Sequence, residues 1–458
     1  MMEVLLSFVG NQDPISEKTN EPGAILTLCQ EIKPDIVYLL PTAEGPDVAS
    51  ATEANALMSK DLLKDVSPHS ACYIRPLTLA DPTDFQELLP CVKDTVKKII
   101  SEIQKSNLKT RIHLNCSSGT PQMTACWYVL ANSGFIPAAH LWQAQNPRMV
   151  TPGKRVREIR LNFLEEENIL SRINRCLPEY LFEVMAAECR ELQNISLYSG
   201  RRIRAELMAM IFKAYSFWDL LQYREAYQRL AAVERRWRNT LDAGEAADVL
   251  HKQVAFLQLL EPEQEIETPE NLVDIYYNAR RCLARQDYTD TLARFWRIYE
   301  GVIYYWLREK WGLEPQDLNK SKNPKNREKI LGILTSRGFT FRSQRQVMLN
   351  LHLATELLQK DLQDREFNKI MQVPIKAQRS NSVQEMQLAE LLDELRTKRN
   401  NSLVAHGMRP VSQEDAINGL EAARTILTLV LARGNELLAT YPLQEENIRL
   451  LVKLLADS

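Results

Sequence analysis

Arg399, Asn400 and His406 fall in the run Arg396-Thr-Lys-Arg-Asn-Asn-Ser-Leu-Val-Ala-His-Gly-Met-Arg409, and their types suit RNA cleavage without a metal ion. A guanidinium stays charged at any physiological pH, and a histidine can take or give a proton near neutrality. The ribose 2'-hydroxyl would be the nucleophile, His406 the acid or base, Arg399 the group holding the phosphate and its developing charge, and Asn400 an aid to positioning. On a helix starting near Val383, seven residues place Arg399 and His406 within about 20 degrees of one face and roughly 10 Å apart along the axis. A single chain covers that gap only by stretching the arginine or by ending the helix between the two. The bare pattern is equally that of a solvated helix face, so its context has to decide.

A second cluster is Asn115-Cys-Ser-Ser-Gly-Thr-Pro-Gln-Met123, placed where a strand hands over to a helix. Thr120 followed by Pro121 is a good helix cap with proline at the first helical position, and Ser117, Ser118 and Gly119 form a small turn ahead of it. Free N–H groups, hydroxyls and the positive end of a helix dipole then converge, which is a phosphate-binding arrangement. The loop Ser7-Phe-Val-Gly-Asn-Gln-Asp-Pro14 offers Gly10 for a sharp turn and Asn11, Gln12 and Asp13 as polar groups. Each run alone is also an ordinary way to leave a strand. Together they mark the switch point of a doubly wound sheet.

The elements that must carry these residues follow from the hydrophobic periodicity. Up to about residue 162, short β-branched runs alternate with longer mixed segments, giving strands at Val4-Val9, Ile36-Leu40, Cys72-Pro76, Arg111-Asn115, Ala138-Gln143 and Arg155-Leu161. Helices are expected at Pro22-Ile32, Ala51-Leu63, Asp84-Gln104 and Pro121-Asn132, so this part is an α/β domain with a mostly parallel sheet and a ligand site at the strands' carboxyl ends. Beyond Phe163 apolar residues recur at three and four, and the remainder reads as all helical. Phe217–Ala226 and Cys282–Thr291 share a helix, a polar corner with a tyrosine, and a second helix, and are read as two helix hairpins. The polar run Asp317–Lys329, with five basic residues, reads as a loop, either merely solvated or in contact with RNA.

Composition narrows the function classes. The chain has 458 residues, 45% hydrophobic and 25% charged, which is ordinary globular composition with room for two or three domains. No run approaches the 18 or so apolar residues of a membrane span, and the first residues lack the basic and apolar regions of a signal peptide. With 57 Lys and Arg against 59 Asp and Glu, the formal charge of -2 supplies no global field for a polyanion, so any nucleic acid must be met by a local patch. The eight cysteines include no CxxC pair, which argues for reduced thiols in a cytosol and against a zinc site.

Arg-Asn-x-x-x-x-Ala-His-Gly, from Arg399 to Gly407, resembles the Arg-x4-6-His signature of HEPN ribonucleases. Asn-x-Ser-Ser-Gly-Thr-x-x-Met, from Asn115 to Met123, resembles the strand-four signature of CARF domains, Rossmann-like sensors of cyclic oligoadenylate. In this order the two resemble the CRISPR-associated accessory ribonucleases of type III systems, the Csm-six and Csx-type enzymes. The resemblance implies an α/β plus all-α chain: a CARF sensor over 1–165, a helical connecting segment over 166–270 and a HEPN ribonuclease domain over 271–458. It further implies cyclic oligoadenylate binding at Gly10, Asn11, Ser117, Ser118, Gly119 and Thr120, and RNA cleavage by Arg399, Asn400 and His406. Single-stranded RNA would be the substrate, a homodimer the working form and the cytoplasm the location. No metal and no cofactor are expected, and cleavage would leave a 2',3'-cyclic phosphate. The sensor lysine that often follows Gly-Thr is replaced here by Pro121-Gln122, which shifts recognition toward the turn's backbone. The competing reading is a nucleotide-sensing protein whose helical part is only an interaction platform.

Overall fold

The computed structural model describes residues 1–43, 51–105, 108–150, 155–240, 244–260, 267–339, 346–380, 382–403, 405 and 407–456. The chain divides into two compact units, Met1–Glu165 and Glu166–Ser458. In the first, the elements run β1 (Met2–Phe8), α1 (Ala24–Ile32), β2 (Ile36–Leu40), α2 (Glu53–Val66), β3 (Ala71–Ile74), α3 (Phe85–Gln104), β4 (Thr110–Asn115), α4 (Pro121–Asn132), β5 (His140–Ala144) and β6 (Val156–Ile159). The six expected strands and four expected helices are all present: β2 and α4 have the expected bounds, and no other end is shifted by more than three residues.

Sheet order is β3-β2-β1-β4-β5-β6, parallel throughout except for β6 against β5. The chain starts at the centre, runs outward through β2 and β3, then returns to β4 on the other side of β1. That reversal makes the β1/β4 carboxyl ends the crevice of the sheet. The alternation within β1 shows why the sheet is covered on both faces: Val4, Leu6 and Phe8 join Val96, Ile99 and Trp127 in one core, while Leu5 and Val9 join Ile25, Leu28 and Leu63 in the other.

His113, on β4, is only 4% exposed and settles as a sheet-face residue. Its Nδ1 accepts from Trp142 Nε1 at 2.8 Å, and since an indole only donates, Nε2 carries the proton and donates to Glu3 at 2.7 Å. Burial holds the imidazole below its ordinary pKa of 6.5, against the opposing pull of Glu3. The unfolded chain therefore takes up this proton first, and the stability is present above about pH 6.5 and lost as pH falls toward the lowered folded value. The thermal midpoint of this unit should drop by a few degrees between pH 7.5 and 5.5, and His113→Gln should flatten that drop. An unchanged pH profile in the variant would refute the assignment.

The second unit is built on the helices Asn162–Cys176, Phe182–Ile195, Ser199–Asp219, Tyr223–Thr240, Glu245–Leu260, Pro269–Ala284, Tyr288–Trp311, Pro324–Ser336, Leu351–Glu356, Arg365–Met371, Leu388–Asn400, Gln413–Val430, Gly434–Ala439 and Glu445–Lys453. They share one hydrophobic core that runs from Ile169 to Leu455. The two expected helix hairpins are there, and each corner is turned by a residue with positive φ, Leu221 at 60° and Gln286 at 64°. Tyr223 at the first corner donates to the buried carboxylate of Asp274, which also accepts from Trp218 and Tyr441.

Two expectations for this unit need correction. It is not all helical: β7 (Pro374–Arg379) and β8 (Ser382–Gln387) form an antiparallel hairpin, and the helix expected from Val383 begins at Leu388. Ile375 and Ala377 are buried between exposed neighbours with period two, and Asn418 pins the strand by accepting from Gln378 N at 2.7 Å and donating to its carbonyl at 3.1 Å. A helical period has no use for such a bond from a distant helix. The second correction is the loop at 317–329, which holds a 3-10 turn at Leu318–Lys320 and the start of the Pro324–Ser336 helix, with Asn323 capping it through Asn326 N at 3.2 Å. Asn-Pro here is a helix start rather than a loop signal.

Candidate functional site

In the first unit the two expected ligand loops meet at the carboxyl ends of β1 and β4. A Cβ on Gly10 would lie 2.9 Å from Gly119 N, so the backbones touch. Gly119 has φ +89°, and a Cβ there would lie 2.7 Å from Met123 Sδ and 3.0 Å from Phe8 Cβ. Only glycine fits that turn without strain. Thr120 caps α4 as expected, accepting from Met123 N at 3.2 Å and donating to Pro82 O at 3.1 Å.

The polar groups divide into a frame and a face. Asn115 is fully buried, donating to Ser7 Oγ at 2.8 Å and Ser118 Oγ at 2.9 Å while its carbonyl oxygen accepts from Ser117 N at 2.9 Å. Ser118 is itself buried and bonded inside this frame. Asn11, Ser117 and Gly119 are exposed, and Gly10 and Thr120 are partly so. Five of the six expected ligand residues therefore reach the surface, and Ser118 supports them from below.

Asp13 was named in the sequence only as one more polar group of the loop, and the structure gives it a larger part. It accepts from Gly10 N at 3.1 Å and from Ile25 N at 3.3 Å in the first turn of α1. Burial pushes its carboxyl pKa up, against the hydrogen bonds from Ser118 and the backbone. The chain's own carboxylate thus occupies the N-terminus of α1. Asn55 completes the frame by donating to Gly10 O at 3.1 Å. No local pattern could reveal Asn55, which comes from a different helix.

In the second unit Leu388, Leu391, Leu392 and Leu395 form the buried stripe of the Leu388–Asn400 helix, and Arg399 follows on that stripe at the core's edge. The helix does not continue toward His406. It ends at Asn400, which is exposed, and Ser402 turns the chain by bonding Arg399 O through both its N–H and its hydroxyl, at 3.0 and 2.9 Å. The roughly 10 Å axial offset drawn for a continuous helix therefore does not apply. His406 lies outside the described residues.

The turn after Asn400 is tight. Ser402 O accepts from Ala405 N and Gly407 N, and Arg409 N donates back to Asn401 O. A Cβ on Gly407 would lie 2.0 Å from Asn401 O. Gly407→Ala should force this turn open, and if the expected RNA cleavage depends on it, a shift of about 1 Å should lower the rate by roughly 10²-fold. Wild-type cleavage rates in that variant would show that the turn's geometry does not matter.

Arg399 stands with its guanidinium 5.4 Å from the ring of Trp296, and its Nε is buried with no hydrogen-bond partner among the described residues. Two cavities, of about 230 and 420 Å³, share Arg399, Trp296 and Leu351 in their walls. Among the described residues, no group of three or more His, Cys, Asp or Glu is placed to hold a metal ion, and no helix is long and apolar enough to cross a membrane.

Residues 263–426 match the family model described as the Csm6 HEPN domain, and residues 30–179 match that of the regulator of RNA terminal phosphate cyclase. No curated relative matches the sequence. In structure the chain is similar to Enterococcus italicus Csm6 bound to cyclic hexa-2'-fluoro-hexa-dAMP, at 15% identity and a TM-score of 0.57, over 99% of this chain and 100% of that one. The likeness shows a shared fold, a Rossmann-like α/β unit followed by a helical one.

Proposed function

We propose that this chain, a CARF–HEPN accessory protein of type III CRISPR systems, is a single-strand endoribonuclease switched on by cyclic oligoadenylate bound in its first unit. The observation that carries the reading is Arg399: inside the segment matching the Csm6 HEPN domain, it lies between two cavities with its Nε unpartnered among the described residues. His406 takes the proton of the ribose 2'-hydroxyl or returns one to the departing 5'-oxygen, Arg399 neutralises the charge growing on the phosphate, and Asn400 helps to hold it. The 2'-oxygen bonds to phosphorus as the 5'-oxygen leaves, so the product ends in a 2',3'-cyclic phosphate and neither metal nor cofactor takes part. Residues 1–165 are the sensor, 166–270 the connecting helices and 271–458 the nuclease domain. Gly10, Asn11, Ser117, Gly119 and Thr120 meet the activator's phosphates and ribose edges over a frame that includes Ser118.

A cyclic symmetric ligand is best matched by two copies of one loop pair about a twofold axis, so the working form is a homodimer, in which two Arg399–His406 motifs share one cleft. Light scattering should give twice the 52.7 kDa chain mass. The decisive assay follows a labelled single-stranded RNA in EDTA with cyclic tetraadenylate or cyclic hexaadenylate. One ring should trigger cleavage to cyclic-phosphate ends. No cleavage with either ring would overturn the proposal and favour the interaction platform.

A further inference from the structure

The described acids in the cavity walls around Arg399 are engaged elsewhere. Glu300, in the wall of the smaller cavity, pairs with Arg297 at 3.0 Å. Asp393 and Glu356, in the wall of the larger, pair with Arg396 at 3.0 Å and with Lys360 and Arg337 at 2.7 and 3.3 Å. The described neighbour left to hold the guanidinium is the indole of Trp296. That ring is itself fixed: it is 6% exposed, packs against Phe295 and Tyr299 with centroids 5.0 and 5.8 Å away, and lies on the long Tyr288–Trp311 helix.

The choice of a ring over a carboxylate has a chemical consequence. An arginine paired with a carboxylate has its charge neutralised and two of its five N–H donors occupied. On an aromatic face it is held in orientation, while its full charge and the donors of its terminal nitrogens are not taken up by a carboxylate. We infer that Trp296 is a positioning residue of the cleavage reaction, aiming Arg399 at the scissile phosphate without neutralising it. Its indole nitrogen is buried, so Trp296 acts through Arg399 rather than on RNA. This inference rests on the ribonuclease reading.

The test is a double-mutant cycle with Trp296→Leu, Trp296→Phe, Arg399→Ala and the Trp296→Leu/Arg399→Ala pair. It is read three ways: by cleavage kinetics with the activating ring, by affinity for a fully 2'-O-methylated RNA oligomer that cannot be cut, and by thermal midpoint. Trp296→Leu should lower kcat by roughly 3- to 30-fold with little change in KM, the range of a partly desolvated cation–π contact. Trp296→Phe should recover most of that loss, and in the Arg399→Ala background Trp296→Leu should cost nothing further. Equal losses in both backgrounds, or a phenylalanine no better than leucine at matched stability, would overturn the inference. A wild type that binds the methylated oligomer with the same coupling, yet cuts no RNA, would keep the pair as a phosphate clamp and overturn the ribonuclease reading. A wild type that neither binds nor cuts would overturn both.

Discussion

On the proposed function, His406→Ala and Arg399→Ala should each lower RNA cleavage by about 10²-fold or more while leaving cyclic oligoadenylate affinity unchanged. The magnitude for histidine is that of losing a general acid or base. For arginine it is that of losing a preorganised charge where the transition state becomes more negative. Arg399→Lys should not restore the rate, because an ammonium lacks the planar fork that matches a phosphate. The two alanine variants should also be far from additive, since each removes part of one event. Activator affinity is the control, because the ligand loops belong to the other unit. Near-normal cleavage in EDTA by either alanine variant would displace the active-site assignment.

On the proposed function, Gly10→Ala should weaken cyclic oligoadenylate binding by about tenfold or more and lower activated RNA cleavage at subsaturating activator, with the fold retained. Its new Cβ would meet Gly119 N at 2.9 Å, driving a wedge between the two ligand loops. Gly10 is half-buried and outside the left-handed region, so the substitution carries no positive-φ penalty and acts through the contact with Gly119. The loss estimated is that of one or more charge-assisted hydrogen bonds from the turn's N–H groups to phosphate. Gly119 is a less clean target for the same test. A side chain there meets Phe8 and Met123 of the core and a φ of +89°, so a bulky replacement would disturb packing as well as binding. Calorimetric titration of Gly10→Ala showing wild-type affinity would remove the two-loop site.

Much of this was legible in the sequence because the relevant signals are local. Strand alternation and the Thr120-Pro121 cap each lie within a few turns or pleats of chain, and each produced its element. Even the break after Arg399 was one of two ways for a single chain to bring Arg399 and His406 together. What the sequence could not show depends on partners far along the chain. Asn418 converts 374–387 from an expected helical stretch into a hairpin by bonding an edge that only the fold presents to it. Ser118 reads as a ligand residue beside Ser117, yet Asn115 and Asp13 draw it into the frame, since a buried hydroxyl must find its partners wherever the packing places them. Arg399 reads as a helix-face cation until Trp296, from a distant helix, gives it an aromatic bed and the neighbouring acids are seen to be paired elsewhere. Periodicity specifies which face of an element is buried. It carries no information on which distant side chain that face will meet, and the orientation and free charge of Arg399 are decided there.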